Sequence, residues 1–227
     1  MQKLLLLIVS ALLFVSCQKE LSYERVTEAS PIDNAIPTPT VTICNQTWML
    51  KNLDVSKYRD GSIIPEASTP AQWETAANNG TGAWCYYENV TANGTVYGKL
   101  YNWYAVKDPR GLAPAGYHIP TDAEWETLVI CLGTDIAAGG AMKEAGTSHW
   151  LAPNADATNS SKFTGLPGGY RLPSAVFTDI GVYGVFWSST ELDPGASLLR
   201  SLYNVNSQLY RYSFSKQYGF SVRCIKN

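Results

Sequence analysis

Histidine is the residue type that this chain has least of. Only His118 and His149 occur among 227 residues, which excludes a histidine-rich metal centre. No Cys-x-x-Cys pair occurs either, and both histidines lie far from any cysteine in the sequence. Structural zinc sites combine closely spaced Cys and His ligands. The sequence therefore predicts no zinc site.

Charged side chains are also scarce, at 16% of the residues. The 17 Lys+Arg nearly balance the 19 Asp+Glu. Nucleic-acid-binding proteins carry a basic footprint, so we expect no nucleic-acid partner. The motifs GxSxG, HExxH, GxGxxG and the P-loop are absent as well, so no enzyme of those motif classes is predicted. Aromatic residues make up 12% of the chain, which provides enough apolar side chains for a folded core.

The N-terminus is typical of an export signal. Lys3 precedes an apolar run over Leu4–Val15, which is shorter than the about 20 residues that span a bilayer. Phe14–Cys17 resembles a bacterial lipobox, in which the cysteine is acylated and becomes the first residue. We therefore expect a lipoprotein signal peptide over 1–16 and lipidation of Cys17. The alternative is an ordinary signal with an incidental cysteine.

A tether is predicted between the anchor and the folded part. Residues 17–40 are polar, contain Pro31, Pro37 and Pro39, and show almost no apolar periodicity. Acyl chains on Cys17 would hold the protein at a membrane. The expected location is the cell envelope, as an outer-membrane lipoprotein that faces the periplasm or the surface.

Four cysteines remain beyond Cys17: Cys44, Cys85, Cys131 and Cys224. In an exported chain, four cysteines favour disulfides over free thiols. Three pairings are open on the spacing alone.

Three short helices are predicted. Thr69–Gln72 combines an N-cap, a proline at the first position and a glutamine at the third, and its helix runs to about Asn78. Thr121–Glu124 is a capping box that begins the second helix, and a third is weaker and covers 136–143. The apolar residues of the second helix recur on one face: Trp125, Leu128, Val129 and Leu132.

The remaining chain predicts strands and loops. Hairpins are expected over 41–44 with 47–50 and over 198–204 with 208–214, and residues 220–224 alternate as a half-buried strand should. The segment 147–184 is rich in Pro, Gly and Asn and is expected to be mostly loop. The fold class is therefore α+β, with antiparallel strands, two or three short helices and long loops, in one domain over 41–227.

Several motifs in this domain resemble those of the Fibrobacter succinogenes major paralogous domain family, which is common on lipoproteins of the Bacteroidetes and Fibrobacteres. The resemblance covers nearly all of 41–227 in order. It implies no particular activity, because the family has none that is settled. The motifs are Asn45–Met49 with Lys51–Leu53, Tyr97–Val106, Pro114–Trp125, Leu166–Arg171, Phe186–Thr190 and Ser221–Cys224.

The run Pro120–Trp125 is also similar to the helix signature of the formylglycine-generating-enzyme group. That analogy implies a C-type-lectin-like fold, a helix-flanked and looped antiparallel sheet whose N- and C-termini lie close together. It also suggests a disulfide between Cys131 and Cys224, which leaves Cys44 to pair with Cys85. The chain departs from the family pattern at Ala113, where a cysteine is frequent.

His118 is the one candidate for a general base. A histidine just before a capping box is more often a structural residue that positions a turn, and both interpretations stay open. Asp122 and Glu124 are explained by helix capping, so they are poor candidates for a catalytic carboxylate pair.

A calcium site is the one cofactor that the sequence leaves open. Asn154, Asp156, Thr158 and Asn159 place oxygen atoms close together in one loop, and Ca²⁺ takes six to eight oxygen ligands. Turn formation explains the same residues equally well.

Aromatic side chains supply the best binding candidate. Tyr210, Tyr212 and Phe214 share one face of a predicted strand, and Tyr203 faces them from the strand before, with Arg200 or Arg211 nearby. Tyrosine faces stack on sugar rings and are frequent in protein interfaces. The alternative is a set of cross-strand pairs that stabilise the sheet. The ligand-binding candidates are Tyr203, Tyr210, Arg211 and Tyr212.

These observations favour a non-catalytic binding domain held at the membrane through Cys17. The expected ligand is a glycan or an envelope protein. Two alternatives are an envelope enzyme that uses His118 with a carboxylate, acting on glycan or protein side chains, and a purely structural surface component.

Overall fold

The computed structural model describes residues 39–227. The signal peptide over 1–16, the acylation site Cys17 and nearly all of the tether lie outside the described residues. The described residues contain five α-helices and eleven strands, which confirms the α+β class. The helices are α1 (Pro70–Asn78), α2 (Thr91–Tyr97), α3 (Trp103–Lys107), α4 (Asp122–Cys131) and α5 (Asp135–Met142). The strands are β1 (Thr40–Ile43), β2 (Gln46–Met49), β3 (Trp84–Cys85), β4 (Leu100–Tyr101), β5 (Tyr117–His118), β6 (Gly168–Arg171), β7 (Phe177–Ile180), β8 (Tyr183–Glu191), β9 (Ala196–Tyr203), β10 (Leu209–Ser215) and β11 (Ile225–Lys226).

Both predicted capping boxes are present. The Thr69 hydroxyl accepts from the backbone N–H of Gln72, whose side-chain oxygen accepts from the Thr69 N–H. Thr121 and Glu124 make the same pair of bonds at the start of α4. These bonds satisfy backbone donors that a helix N-terminus otherwise leaves unpaired. The two helices therefore begin where the sequence predicts.

The main sheet has five strands in the order β10-β9-β8-β6-β7. Neighbouring strands are antiparallel except for β6 and β8, which run parallel. One face of this sheet is covered by α4 and α5. Trp125, Leu128 and Val129 of α4 pack there with Leu202 and Leu209 of the sheet. Leu132, the fourth residue of the predicted stripe, lies past the helix end and is half-buried.

A second sheet joins the two ends of the described chain. Its order is β1-β2-β11-β5, and all of its pairs are antiparallel. Ile225 of β11 pairs with Trp48 on one side and with His118 on the other. The first and last strands of the domain therefore belong to one sheet.

The prediction of a half-buried strand over 220–224 was wrong. Ser221 and Arg223 are as buried as Phe220 and Val222, because this segment passes through the core between the two sheets. The Arg223 guanidinium donates to the Oδ1 of Asn52 and to backbone carbonyls. Hydrogen bonding of this kind lets a charged side chain occupy an interior position.

The predicted loop over 147–184 is only partly a loop. Irregular chain extends from Lys143 to Pro167, but β6, β7 and the start of β8 follow it. Pro167 and Pro173 flank β6 and do not interrupt it, which is where proline is tolerated beside a strand. The short elements α2, α3 and β3–β5 were not predicted at all.

Within the described residues 39–227 there is one disulfide, between Cys44 and Cys131. It links the β1–β2 turn to the end of α4, with 6.5 Å between the two Cα atoms. The expected pairs Cys131–Cys224 and Cys44–Cys85 were therefore wrong. Cys85 and Cys224 are buried free thiols in the described chain, and they lie in two different core clusters.

No helix within residues 39–227 is long and apolar enough to cross a membrane.

Candidate functional site

The β9–β10 hairpin places the predicted tyrosines on one face. Tyr210 pairs with Ser201 and Tyr212 with Leu199 in the antiparallel register. Side chains alternate between the two faces of a strand, so Tyr203 of β9 projects to the same side as these residues. The expectation that Tyr203, Tyr210 and Tyr212 share one face is confirmed by this register.

This face of the main sheet is not covered by α4 or α5, and it forms the wall of a cleft of about 600 Å³. Sites for small ligands commonly measure about 300–1,000 Å³. Five tyrosines and two phenylalanines contribute to the lining. The full lining is Tyr170, Asp179, Val182, Tyr183, Val185, Leu199, Ser201, Tyr203, Tyr210, Tyr212, Phe214 and Phe220.

Four tyrosine rings in the cleft form two stacked, nearly parallel pairs. Tyr183 and Tyr203 stack with centroids 4.3 Å apart and planes 4° from parallel. Tyr210 and Tyr212 stack at 5.3 Å and 8°. Tyr212 and Phe214 are 44% and 39% exposed, so this aromatic surface is open to a partner. Contiguous exposed apolar surface of this kind marks binding sites in soluble proteins.

Asp179 is the one charged residue that lines the cleft. It lies at the end of β7 with a φ of 64°, a left-handed conformation that is uncommon for residues other than glycine but is tolerated by Asp and Asn. Burial raises the pKa of Tyr170 and the nearby Asp179 carboxylate raises it further. Burial, Tyr203 and Asp179 together raise the pKa of Tyr183 to about 12. Tyr170 and Tyr183 are therefore held in the protonated form beside the single carboxylate of the cleft.

Sequence reasoning missed Asp179, Tyr170 and Tyr183. Tyr170 belongs to the Leu166–Arg171 motif, and Tyr183 alternates with Val185, so both carried a strand signal. Asp179 precedes an Ile-Gly pair, which is a turn signal. None of these local signals shows that the parallel pairing of β6 with β8 brings the three residues to the β9–β10 hairpin.

The expectation that Arg211 contributes to the aromatic face was wrong. Arg211 lies between Tyr210 and Tyr212, so its side chain projects to the opposite side of the sheet. There its Nε is 2.9 Å from Oδ2 of Asp122. Arg200 lies on that side too, 2.9 Å from Oδ1 of the same carboxylate. The two arginines therefore tie the hairpin to the N-terminus of α4.

The loop considered for calcium is organised around a lysine. The buried Lys143 ammonium donates to the carbonyl oxygens of Ala155, Tyr203 and Asn206. The Asn154 side-chain amide donates to two backbone carbonyls, and the Asn159 Oδ1 accepts from a backbone N–H. The chain thus already supplies a cation here, the Lys143 ammonium, which is bound by three backbone oxygen atoms. Ca²⁺ takes six to eight oxygen ligands, and the calcium site in this loop stays a prediction.

Both ring nitrogens of His118 make hydrogen bonds. Its Nε2 is 2.7 Å from Oε1 of Glu124, and its Nδ1 is 2.8 Å from Oδ1 of Asn227. Burial raises the pKa of Glu124, but hydrogen bonds from Thr121 and His118 outweigh burial and lower the pKa overall. His118 extends the α4 capping box to the C-terminal residue, which fits the structural interpretation better than the catalytic one. It does not line the cleft.

No curated protein and no solved structure matches the chain. The sequence profile of one family, described as the Fibrobacter succinogenes major domain, matches residues 41–226. That range holds all five helices, nearly every strand residue and the aromatic cleft, so the match concerns almost the whole described fold. The chain belongs to the Fibrobacter succinogenes major domain family.

Proposed function

We propose that this protein is a cell-envelope lipoprotein whose domain binds a glycan in the aromatic cleft and does not catalyse a reaction. The observation that carries the proposal is the cleft of about 600 Å³ with its two stacked tyrosine pairs. Membrane attachment would come from acylated Cys17, at the outer membrane. A C-type-lectin-like arrangement is part of the proposal, and the sheet shared by the first and last strands supports it.

The shape and chemistry of the cleft suit a sugar ring. Saccharides present flat C–H faces that pack on aromatic side chains, while their hydroxyl groups need donors and acceptors at the edges. Tyr212 is 44% exposed and can offer its ring to a sugar. Ser201, Asp179 and the tyrosine hydroxyls supply polar atoms around the aromatic surface.

The same lining argues for binding without hydrolysis. Glycoside hydrolysis generally requires two carboxyl groups about 5–10 Å apart across the scissile bond. Of the residues that line the cleft, only Asp179 carries a carboxylate. His118 is engaged by Glu124 and Asn227 away from the cleft.

A glycan and polysaccharide panel tests the proposal, with the purified full chain, Tyr212→Ala and Tyr104→Ala compared in parallel. Tyr104 is a half-buried tyrosine of α3 that does not line the cleft, so it is the matched control. We expect saturable binding that Tyr212→Ala weakens at least tenfold and Tyr104→Ala leaves unchanged, because aromatic contacts dominate such sites. Binding should be indifferent to chelator. Equal binding by both variants, or no binding to any saccharide, would overturn the proposal.

Membrane attachment is tested separately. Cys17→Ser removes the thiol that would be acylated, and we expect the protein to move from the membrane fraction to the soluble fraction. Retention of the variant in the membrane fraction would contradict the lipoprotein assignment.

A further inference from the structure

Several aromatic rings within residues 39–227 are capped by a lysine or arginine of the chain itself. The Lys99 ammonium lies 4.3 Å from the Trp84 centroid, and Arg171 lies 4.7 Å from both Trp73 and Phe177. The same contact recurs through the core. The further pairs are Arg223 with Phe163 at 4.5 Å, Lys216 with Trp103 at 4.9 Å, Lys143 with Trp150 at 5.6 Å and Arg110 with Tyr58 at 4.0 Å.

These contacts are attractive because the face of an aromatic ring is negative. A cation within about 6 Å of a ring centroid is stabilised, and more strongly when water is excluded. Lys99, Arg171 and Arg223 are at most 4% exposed, so their charges are largely desolvated. The fold thus repeatedly combines electron-rich rings with an internal positive charge.

Within the described residues, the aromatic cleft differs from these capped rings. None of its seven aromatic rings has a lysine or arginine above it, and no positively charged residue lines it. Two cations close to the cleft residues along the chain or through a hydrogen bond are turned away from it: Arg211 projects to the other side of the sheet, and the Lys143 ammonium donates to the backbone carbonyl of Tyr203. The one formal charge in the cleft is the negative charge of Asp179.

The Asp179 carboxylate is held in place at a conformational cost. Its φ of 64° is a left-handed conformation, and residues in such conformations concentrate at ligand sites where the surrounding structure maintains them. The turn that follows is closed by a bond from the Val182 N–H to the Asp179 carbonyl. This turn therefore fixes the backbone that presents Asp179 to the cleft.

We propose that the cleft binds an organic ammonium group, presented by an amino-sugar unit of a saccharide, between the tyrosine faces and the Asp179 carboxylate. The amino sugar rests on the proposed glycan function, while the preference for a cation rests on the charge pattern alone. The ligand would supply to the cleft a cation of the kind that the chain supplies to several of its other aromatic rings. Saccharides carrying carboxylate or sulfate groups would be disfavoured by Asp179.

Two matched pairs of probes separate charge from shape. Choline and 3,3-dimethylbutan-1-ol have the same size, but only choline is charged. A chitosan oligosaccharide and its fully N-acetylated counterpart share one sugar backbone and differ in the amine. Titration calorimetry with the purified full chain should show choline bound at least tenfold more tightly than its neutral analogue. The free amine should likewise be preferred to the acetamide.

Asp179→Asn is the decisive variant, because Asn tolerates the left-handed backbone and removes only the charge. Asp156→Asn is its control, since Asp156 also has a positive φ, 56°, and lies outside the cleft. We expect Asp179→Asn to weaken ammonium binding about tenfold or more, as charge-assisted contacts do, and Asp156→Asn to have no effect. Tyr212→Leu keeps apolar area and removes a ring face, so it should weaken choline binding and spare the neutral analogue.

The outcomes distinguish the two proposals. If neutral saccharides bind in the cleft as tightly as aminated ones and Asp179→Asn changes nothing, the ammonium site is wrong and the glycan function stands. If choline binds in an Asp179-dependent way but no saccharide binds, the ammonium site stands and the glycan function is wrong. A lysine-rich peptide that binds more tightly than the chitosan oligosaccharide would overturn the amino-sugar assignment.

Discussion

The two faces of the β9–β10 hairpin carry different chemistry, although their residues alternate one by one. On the covered face, Leu202 and Leu209 pack under α4 and α5, and Arg200 and Arg211 share the Asp122 carboxylate. On the open face, tyrosines stack in pairs around Asp179. The covered face has its polar groups largely satisfied within the protein, whereas the open face keeps ring faces and hydroxyls for a partner.

The difference shows how a binding surface and a structural surface can be built from one strand pair. Because successive side chains of a strand point to opposite faces, Leu202 packs in the core while Tyr203 lines the cleft. A substitution on one face should therefore affect stability, and a substitution on the other face should affect binding. The predictions below test that division, beginning with the largest expected effect.

Leu202→Ala and Tyr203→Ala change adjacent residues on opposite faces. Leu202 is 0% exposed, so its truncation leaves a cavity and should lower the free energy of unfolding by about 2–5 kcal/mol. Tyr203 is half-buried and loses chiefly its stacking on Tyr183, which should cost about 1–2 kcal/mol. Urea denaturation measures both values. Equal losses, or undiminished ligand binding by Tyr203→Ala, would contradict the division.

Reduction of the Cys44–Cys131 disulfide should lower the free energy of unfolding of the whole fold. The bond closes a loop of 87 residues and attaches α4 to the β1–β2 turn. Cross-links of this span stabilise a fold by about 2–4 kcal/mol, chiefly by restricting the unfolded chain. Denaturation of the Cys44→Ser and Cys131→Ser double variant should show a loss of that size. Unchanged stability in the double variant would mean that the bond does not form.

The two buried free thiols should make the fold less stable at alkaline pH. Burial raises the pKa of Cys85 to about 11 and that of Cys224 to about 12, from an ordinary value of 9. Between about pH 9 and 11 the unfolded chain loses these protons while the folded chain keeps them, so stability should fall as pH rises through that window. A Cys85→Ala variant should show a shallower decline. Thiol titration should find both groups unreactive in the native protein and accessible after denaturation.

Local features of this fold were predictable, because the interactions that determine them span few residues. Thr69–Gln72 and Thr121–Glu124 begin helices through bonds between residues three apart, and the alternation of Tyr210 and Tyr212 indicates a shared face without any tertiary information. The family motifs were recognisable for the same reason, and the family match confirms them.

Features that depend on distant segments could not be predicted. Cys44 and Cys131 are 87 residues apart, and no spacing rule identifies such a pair. Arg223 looked like the solvent-facing member of an alternating strand, yet Asn52, 171 residues away, accepts its Nε–H within the core. Asp179 enters the cleft because β6 pairs in parallel with β8, a topology that composition and periodicity do not reveal.

Arg211→Ala gives the smallest expected effect and the closest test of the hairpin's division. Arg211 is flanked on both sides by cleft tyrosines, yet its guanidinium is 51% exposed and pairs with Asp122 on the covered face. Exposed ion pairs contribute about 0–1 kcal/mol, so the loss of stability should be under about 1 kcal/mol, and cleft affinity should not change. Tyr210→Ala, one residue away, should lower affinity. A loss of affinity in Arg211→Ala equal to that in Tyr210→Ala would mean that the ligand contacts both faces of β10, and the assignment of one face to binding and the other to structure would then fail.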